Sequence, residues 1–206
     1  MPELLPLDSD QLLTTTRSVR KRLDLDRPVP IEVVRDCLEI AMQAPTGSNG
    51  QTWHWIVVTD RVRKQQIAEY YARSYAVYSA ERPVASESHH RIASSAEYLA
   101  EQMANVPILV IGAIYTGGEL PSSNQATIWG SLLPGAWSLA LALRARGLGS
   151  AWTTLHLAYE REVAELLGIP DTVHQGVLLP VAYTTGSSFK PAARKPLDDV
   201  IHIDRW

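Results

Sequence analysis

Cysteine is almost absent from this chain. The single thiol in 206 residues, Cys37, has no partner for an internal disulfide and no companions for a thiolate metal cluster. It falls on the apolar side of a predicted helix, where a buried, unreactive thiol is expected. An excess of one charge is missing too. The formal net charge of −3 gives no drive towards nucleic acid or an anionic membrane surface. The longest apolar runs, such as residues 106–115, are too short to span a bilayer. Residues 1–10 are acidic and lack the apolar segment of a secretory signal, so a cytoplasmic location is the default expectation. No Gly-x-Gly-x-x-Gly pattern occurs. Gly147-Leu148-Gly149 follows Arg144-Ala145-Arg146, where glycine ends a helix, and a Rossmann reading is rejected. His89 and His90 are adjacent, so on a helix they diverge, and no Asp, Glu or Cys stands at ligand spacing; solvated surface and no metal site are expected. Phenylalanine occurs once, against six Trp and eight Tyr. That balance suits a stacked ligand, a large subunit interface or an ordinary core.

What remains is a globular composition, 46% hydrophobic and 20% charged, with no repeats, low-complexity tracts or interdomain linker. A single α+β domain over residues 1–206 is expected. Pro30 opens a helix in which Ile31, Val34, Leu38, Ala41 and Met42 recur at helical spacing, ending near Gln43. Residues 53–59 read as a strand, and Asp60 as the N-cap of a helix over 61–78. Tyr70, Tyr71, Tyr75 and Tyr78 of that helix form either core or cleft wall. Residues 81–104 are the least apolar stretch, set off by Pro83, and read as a mobile surface helix or lid. The apolar run 106–115 reads as a central strand. A long apolar helix starts at Ser123 or Asn124 and reaches Arg146, with Pro134 predicting a kink or irregular turn. A short extended piece over 150–155, a helix over 159–167 closed by Gly168 and Pro170, and a strand over 175–183 complete the pattern.

Three polar segments carry the chemistry. Between helix and strand, Ala44-Pro45-Thr46-Gly47-Ser48-Asn49-Gly50-Gln51-Thr52-Trp53 combines a fixed φ at Pro45 with Gly47 and Gly50, which permit positive φ. Asn49 and Gln51 together offer donors and acceptors that can grip a flat heterocycle with an imide edge; the plain alternative is a polar turn. Near the N-terminus, Arg17, Ser18, Arg20, Lys21 and Arg22 concentrate positive charge. Two arginines three apart on one helical turn can converge on a phosphate, or Asp24 and Asp26 can simply neutralise the run. In the tail, Lys190, Arg194 and Lys195 precede Ile201, Ile203 and Trp206, an ending apolar enough to dock on something.

Taken in order, four segments resemble the FMN-dependent nitroreductase family: Arg17-Ser18-Val19-Arg20, the 44–53 loop, Arg146-Gly147-Leu148-Gly149-Ser150-Ala151-Trp152-Thr153-Thr154, and Arg194-Lys195-Pro196-Leu197-Asp198-Asp199-Val200. They span nearly the whole chain. The resemblance implies a mixed central sheet wrapped by helices, an intertwined homodimer, and two FMN sites in the subunit interface. It further implies that Arg17, Ser18 and Arg20 contact the flavin, Arg17 at the phosphate and Arg20 at the ribityl chain and pyrimidine edge. Arg194, with Lys190, would bind phosphate from the tail, residues 189–206 acting as an arm that embraces the partner. Pro45, Thr46, Gly47, Asn49 and Gln51 would come from the other subunit. Thr153, Thr154 and Leu155 would lie beside flavin N5, a backbone N–H of Thr154 or Leu155 facing it.

The implied activity is hydride transfer from NAD(P)H through N5 to a nitroaromatic, quinone or similar flat acceptor in a ping-pong cycle. The flavin carries the chemistry, so no catalytic side chain is assigned, neither His156 nor Cys37. The alternative is a flavin-binding or regulatory protein of the same fold with little NAD(P)H turnover. Thr16 stands where many relatives have arginine, Thr52 where proline is common, and Thr154 where some carry glutamate. Residues 81–104 match nothing in the family and read as the substrate-selecting lid.

Overall fold

A sheet that is buried on both faces needs unbroken apolar strands, and this chain supplies two. The computed structural model describes residues 3–82 and 86–206; the break expected at Pro83 lies outside them. In chain order the described elements are α1 (Ser9–Thr15), α2 (Ile31–Ala41), β1 (Trp53–Val58), α3 (Arg61–Ala80), α4 (Glu87–Gln102), β2 (Ile108–Tyr115), α5 (Ala126–Ala145), β3 (Leu148–Ser150), α6 (Glu160–Leu167) and β4 (Val173–Tyr183). Successive side chains of β2 and β4 point to opposite faces. Leu109, Ile111 and Leu178 pack with Ile67, Tyr71, Leu99 and Met103 on the α3–α4 side. Ile108, Val110, Val177 and Leu179 pack with Val34, Leu139 and Leu143 on the α2–α5 side. Both faces are covered, so neither strand shows the polar alternation of a half-exposed sheet.

The strand order is β1-β2-β4-β3, and every neighbouring pair is antiparallel. The expected mixed sheet is therefore corrected. Two helices, α3 and α4, join β1 to β2, and an even number of helical passes returns the chain antiparallel. A single helix, α5, joins β2 to β3, which therefore run the same way, but β4 lies between them. A parallel contact does occur among the described residues in the isolated bridge of Ser18 to Ser150, at the end of β3.

The first helix was not foreseen, although its signal is present. Asp8 accepts from the Gln11 N–H at 2.7 Å while the Gln11 side chain accepts from the Asp8 N–H at 3.1 Å, a reciprocal cap. The basic run that follows is not helical. It is extended at Ser18 and turns at residues 20–23, where Leu23 N–H donates to the Arg20 carbonyl at 3.1 Å. Helix α5 passes through Pro134 as one element. The carbonyl left without its donor belongs to Gly130, which is solvent-exposed, and that lowers the cost of the missing bond. By length and composition α5 could cross a bilayer, but it packs against α2, β2 and β4 inside the protein. Cys37 is fully buried against it, and burial pushes its thiol up to about 11, which leaves it unreactive at neutral pH.

His156, in the turn before α6, is fully buried with neither ring nitrogen hydrogen-bonded among the described residues. Burial lowers its pKa to about 4 from 6.5. The unfolded chain therefore takes up a proton that the folded chain resists, and stability declines as pH falls from 6.5 towards 4, by roughly 3 kcal/mol in all. Urea denaturation at pH 7 and pH 4 should show this drop, and His156→Leu should shrink it by that amount; an equal drop in both proteins would refute it.

Candidate functional site

Glycine at position 149 brings the basic segment onto the sheet. A Cβ there would lie 2.7 Å from Thr184 Cγ2 and 2.9 Å from Val19 Cβ, so only glycine lets Val19 pack this close. Val19 N–H donates to the Ser150 carbonyl at 2.8 Å, and Ser18 bridges Ser150. The run from Arg17 to Arg20 is thereby laid along the outer edge of β3. Arg17 then donates from Nη1 to the Lys190 carbonyl at 3.2 Å, which ties the N-terminal segment to the tail.

The tail is held by arginines that the sequence did not single out for this purpose. Arg22 donates to the Thr185 carbonyl from Nε at 3.1 Å, to the Gly186 carbonyl from Nη2 at 3.0 Å and to the Ser188 carbonyl from Nη1 at 2.9 Å. Buried Arg144 donates to the Ser187 carbonyl at 2.8 Å. Both guanidiniums lie against the Phe189 ring, at 4.1 and 4.8 Å from its centroid. Arg22 and Arg144 are 122 positions apart, and no local pattern announces that they meet.

Arg17, Ser18, Arg20, Lys21, Phe189 and Lys190 line a cavity of about 410 Å³. Among the described residues no carboxylate pairs with any of its cations. Asp24 instead accepts from the backbone N–H groups of Asp26 and Arg27, both at 3.2 Å, so it does not neutralise the run. Helix α4 leans over the cavity: Lys21 Nζ donates to Ser94 Oγ at 2.7 Å and Arg20 Nη1 to Ser95 Oγ at 3.5 Å. Clustered cations with a free serine hydroxyl and no acid form a site for an anion of phosphate type.

Beyond Ser150 the chain delivers the third segment. Thr153 is buried, exchanges two backbone bonds with Leu178 at 3.1 and 2.9 Å, and donates its hydroxyl to the Tyr71 hydroxyl at 2.9 Å. Burial raises the pKa of Tyr71, so its proton stays in place. Thr154 is exposed beside this anchor and Leu155 is half-buried.

The fourth segment lies elsewhere. Pro45, Thr46, Gly47, Asn49 and Gln51 sit before β1, at the edge of the sheet opposite β3, about 14 Å away at three inter-strand spacings. Gly47 N–H donates to Ser131 Oγ at 2.9 Å, and a Cβ on Gly47 would meet Thr127 Cγ2 at 2.9 Å. Gly47 and Gly50 are thus not the residues with positive φ. Those are Ser48, Asn49 and Gln51, at 50–52°. Asn49 and Gln51 are exposed, and Gln51 Nε2 donates to Asn49 Oδ1 at 3.2 Å. Three non-glycine residues in the left-handed region cost on the order of 1 kcal/mol each, a strain concentrated at functional loops. Arg194 is exposed, donates only to its neighbour's carbonyl at 3.4 Å, and does not line the cavity.

Comparison with known proteins follows this geometry. The sequence profile described as the nitroreductase family matches residues 13–183. The chain is 30% identical to an iodotyrosine deiodinase of Thermotoga neapolitana, over 92% of this chain and 94% of that protein. A crystal structure of an iodotyrosine deiodinase bound to FMN and 3-iodo-L-tyrosine superposes with a TM-score of 0.67 at 25% identity, covering 93% of this chain and 96% of the other. An FMN- and NADPH-dependent nitroreductase from sphigopyxis sp. strain HMH shares the fold, with a TM-score of 0.73 at 21% identity over 97% of this chain and 100% of that one.

Gly149→Ala forces Val19 or Thr184 aside and should cost about 1–3 kcal/mol. Thermal denaturation of the variant checks this, and an unchanged melting temperature would show that the approach of Val19 is slack.

Proposed function

Because the chain belongs to the nitroreductase family, we propose that it is an FMN-dependent oxidoreductase that moves hydride from NAD(P)H to a nitroaromatic, quinone or similar flat acceptor. The observation that carries this reading is the convergence of Arg17, Ser18, Arg20 and Lys190 on one cavity with no acid in its lining, at the edge of β3 that leads into Thr153 and Thr154. Those donors suit the FMN phosphate. When bound, FMN supplies a two-electron carrier that takes hydride at N5 and passes it on.

The chain's own residues bind, orient and hold charge. Arg17 and Ser18, with Lys190 beside them, fit the phosphate end. Arg20, half-buried, fits the polar edge of the ring, where a fixed guanidinium stabilises negative charge. Tyr71 fixes Thr153, and through it the backbone of Thr154, so that an N–H there keeps one orientation. For a nitro group, one hydride and one proton from solvent yield the nitroso product and water, so no protein acid is needed.

The Pro45–Gln51 loop belongs to this reading as the contribution of a second copy of the chain, since the sheet separates it from the cavity of its own chain. The tail supports the same arrangement. Leu197, Ile203 and Trp206 are 68%, 78% and 100% exposed, which is unfavourable for a tail with no surface to cover.

Titration of the apoprotein with FMN, followed by anaerobic addition of NADH and of NADPH, tests the reading through the flavin absorbance. Binding, then bleaching by one or both nicotinamides, is expected; a protein indifferent to FMN would sink it. Arg17→Ala should raise the FMN dissociation constant about tenfold or more, as loss of a charge-assisted contact does. Sedimentation should give a dimer, and a monomer that binds FMN with full affinity would remove the two-chain site.

A further inference from the structure

The gap between α3 and α4 holds a second cavity, of about 540 Å³, that the flavin reading leaves without a role. Its walls are Tyr75 and Tyr78 from α3 with Ile92 and Ala93 from α4. The two tyrosine rings, one turn apart on α3, lie 6.5 Å apart and tilted by 34°, and together form an aromatic wall. Tyr75 donates its hydroxyl to the Ala93 carbonyl at 3.2 Å and holds the two helices at this separation. Such walls accept a flat ring.

The rim carries charge of a definite kind. Arg82 lies 4.4 Å over the Tyr78 ring and donates from Nη1 to the Tyr78 hydroxyl at 3.0 Å, so its guanidinium is held in one place. Among the described residues it pairs with no carboxylate. Glu81 also faces the cavity but forms no ion pair there, and His89 faces it from α4. Arg20 lines this cavity as well as the phosphate-type cavity, so its side chain stands between the two.

We infer that this cleft selects acceptors that are flat aromatic acids, the ring lying between Tyr75, Tyr78 and Ile92 and the carboxylate bound by Arg82. The inference rests on the flavin reading for what happens to the acceptor, but not for whether it binds. A neutral aromatic would need only the walls. A guanidinium at their rim that is paired with no described carboxylate, beside the unpaired Glu81, adds a preference for an anion and orients it, since the planar fork matches a carboxylate. The lid expected over residues 81–104 thus acquires a chemical reason to discriminate.

Two probes of equal shape test this, 4-nitrobenzoate and its neutral analogue 4-nitrobenzamide. Calorimetric titration of the protein as purified should show the benzoate binding about tenfold more tightly, as expected for one added charge-assisted bond. With FMN bound and NAD(P)H supplied, the ratio of kcat/KM should follow the same preference. Arg82→Gln should bring the binding ratio to within about threefold of unity. Tyr78→Phe, which frees Arg82 from its anchor, should reduce the ratio severalfold without loss of fold. Equal binding of the two probes by the unaltered protein, or a preference that survives Arg82→Gln, overturns the inference. Because binding is read without turnover, a protein that prefers the benzoate yet ignores FMN would defeat the flavin reading and leave the cleft's selectivity standing.

Discussion

At Gly149 the sheet and the N-terminal segment come closer than any side chain would allow, and the site grows outward from that contact. Val19 fills the space, its N–H is committed to Ser150, and Ser18 is left facing outward at the edge of β3. The spacing of the chain then does the rest. Arg17 and Arg20, on either side of this anchored pair, are both delivered to the same cavity. A segment one residue out of register would turn Val19 outward and put Ser18 or Arg20 against Thr184, which the buried edge could not accept. The burial of one valine therefore fixes where positive charge stands.

That charge is unusual in how it is left. The chain has more acidic than basic residues overall, yet no described acid forms an ion pair with the cations of the cavity. Arg22 and Arg144 add to the local excess, spending their donors on tail carbonyls between residues 185 and 188. Arg144 is buried with Nε and Nη1 unpaired, and both burial and Arg22 act to lower its pKa. Like charges held together oppose folding, so an anion entering the cavity relieves repulsion as well as forming contacts. Ligand binding and folding stability should rise together in such a protein.

Much of this was legible because it depends on local pattern. Continuous apolar runs marked β2 and β4, helical spacing marked α2, and a glycine after Arg146 marked the end of α5, where Gly147 indeed has φ +76°. The mixed sheet was misjudged because pairing depends on which strand is inserted between β2 and β3, and that is a long-range choice. The same limit hid Arg22, Arg144 and Tyr71, each of which acts on a residue far along the chain. The loop glycines were misread for a different reason. Glycine permits positive φ but also permits close approach, and Gly47 serves the second purpose against Thr127 while Ser48, Asn49 and Gln51 take the strained angles. Arg17, Ser18 and Arg20 needed only adjacency to be suspected; that Arg20 also borders an aromatic cleft needed the fold.

The separation of the Asn49–Gln51 loop from the cationic cavity bears on how many chains complete a site. The loop precedes β1 and the cavity lies along β3, the two opposite edges of one sheet. A two-fold axis, however, carries one edge of a protomer towards the other edge of its partner, and does so twice. On the two-chain site proposed above, each loop would reach the cavity of its partner. The strained φ angles fit this arrangement, because a loop shaped in advance for a neighbour's ligand gains nothing from its own chain in exchange for the strain. The exposed apolar tail would fit it as well, since it starts beside the cavity at Lys190 and leaves Leu197, Ile203 and Trp206 uncovered within one chain. Strain and exposure are separate features of one chain, and the proposed pairing would account for both.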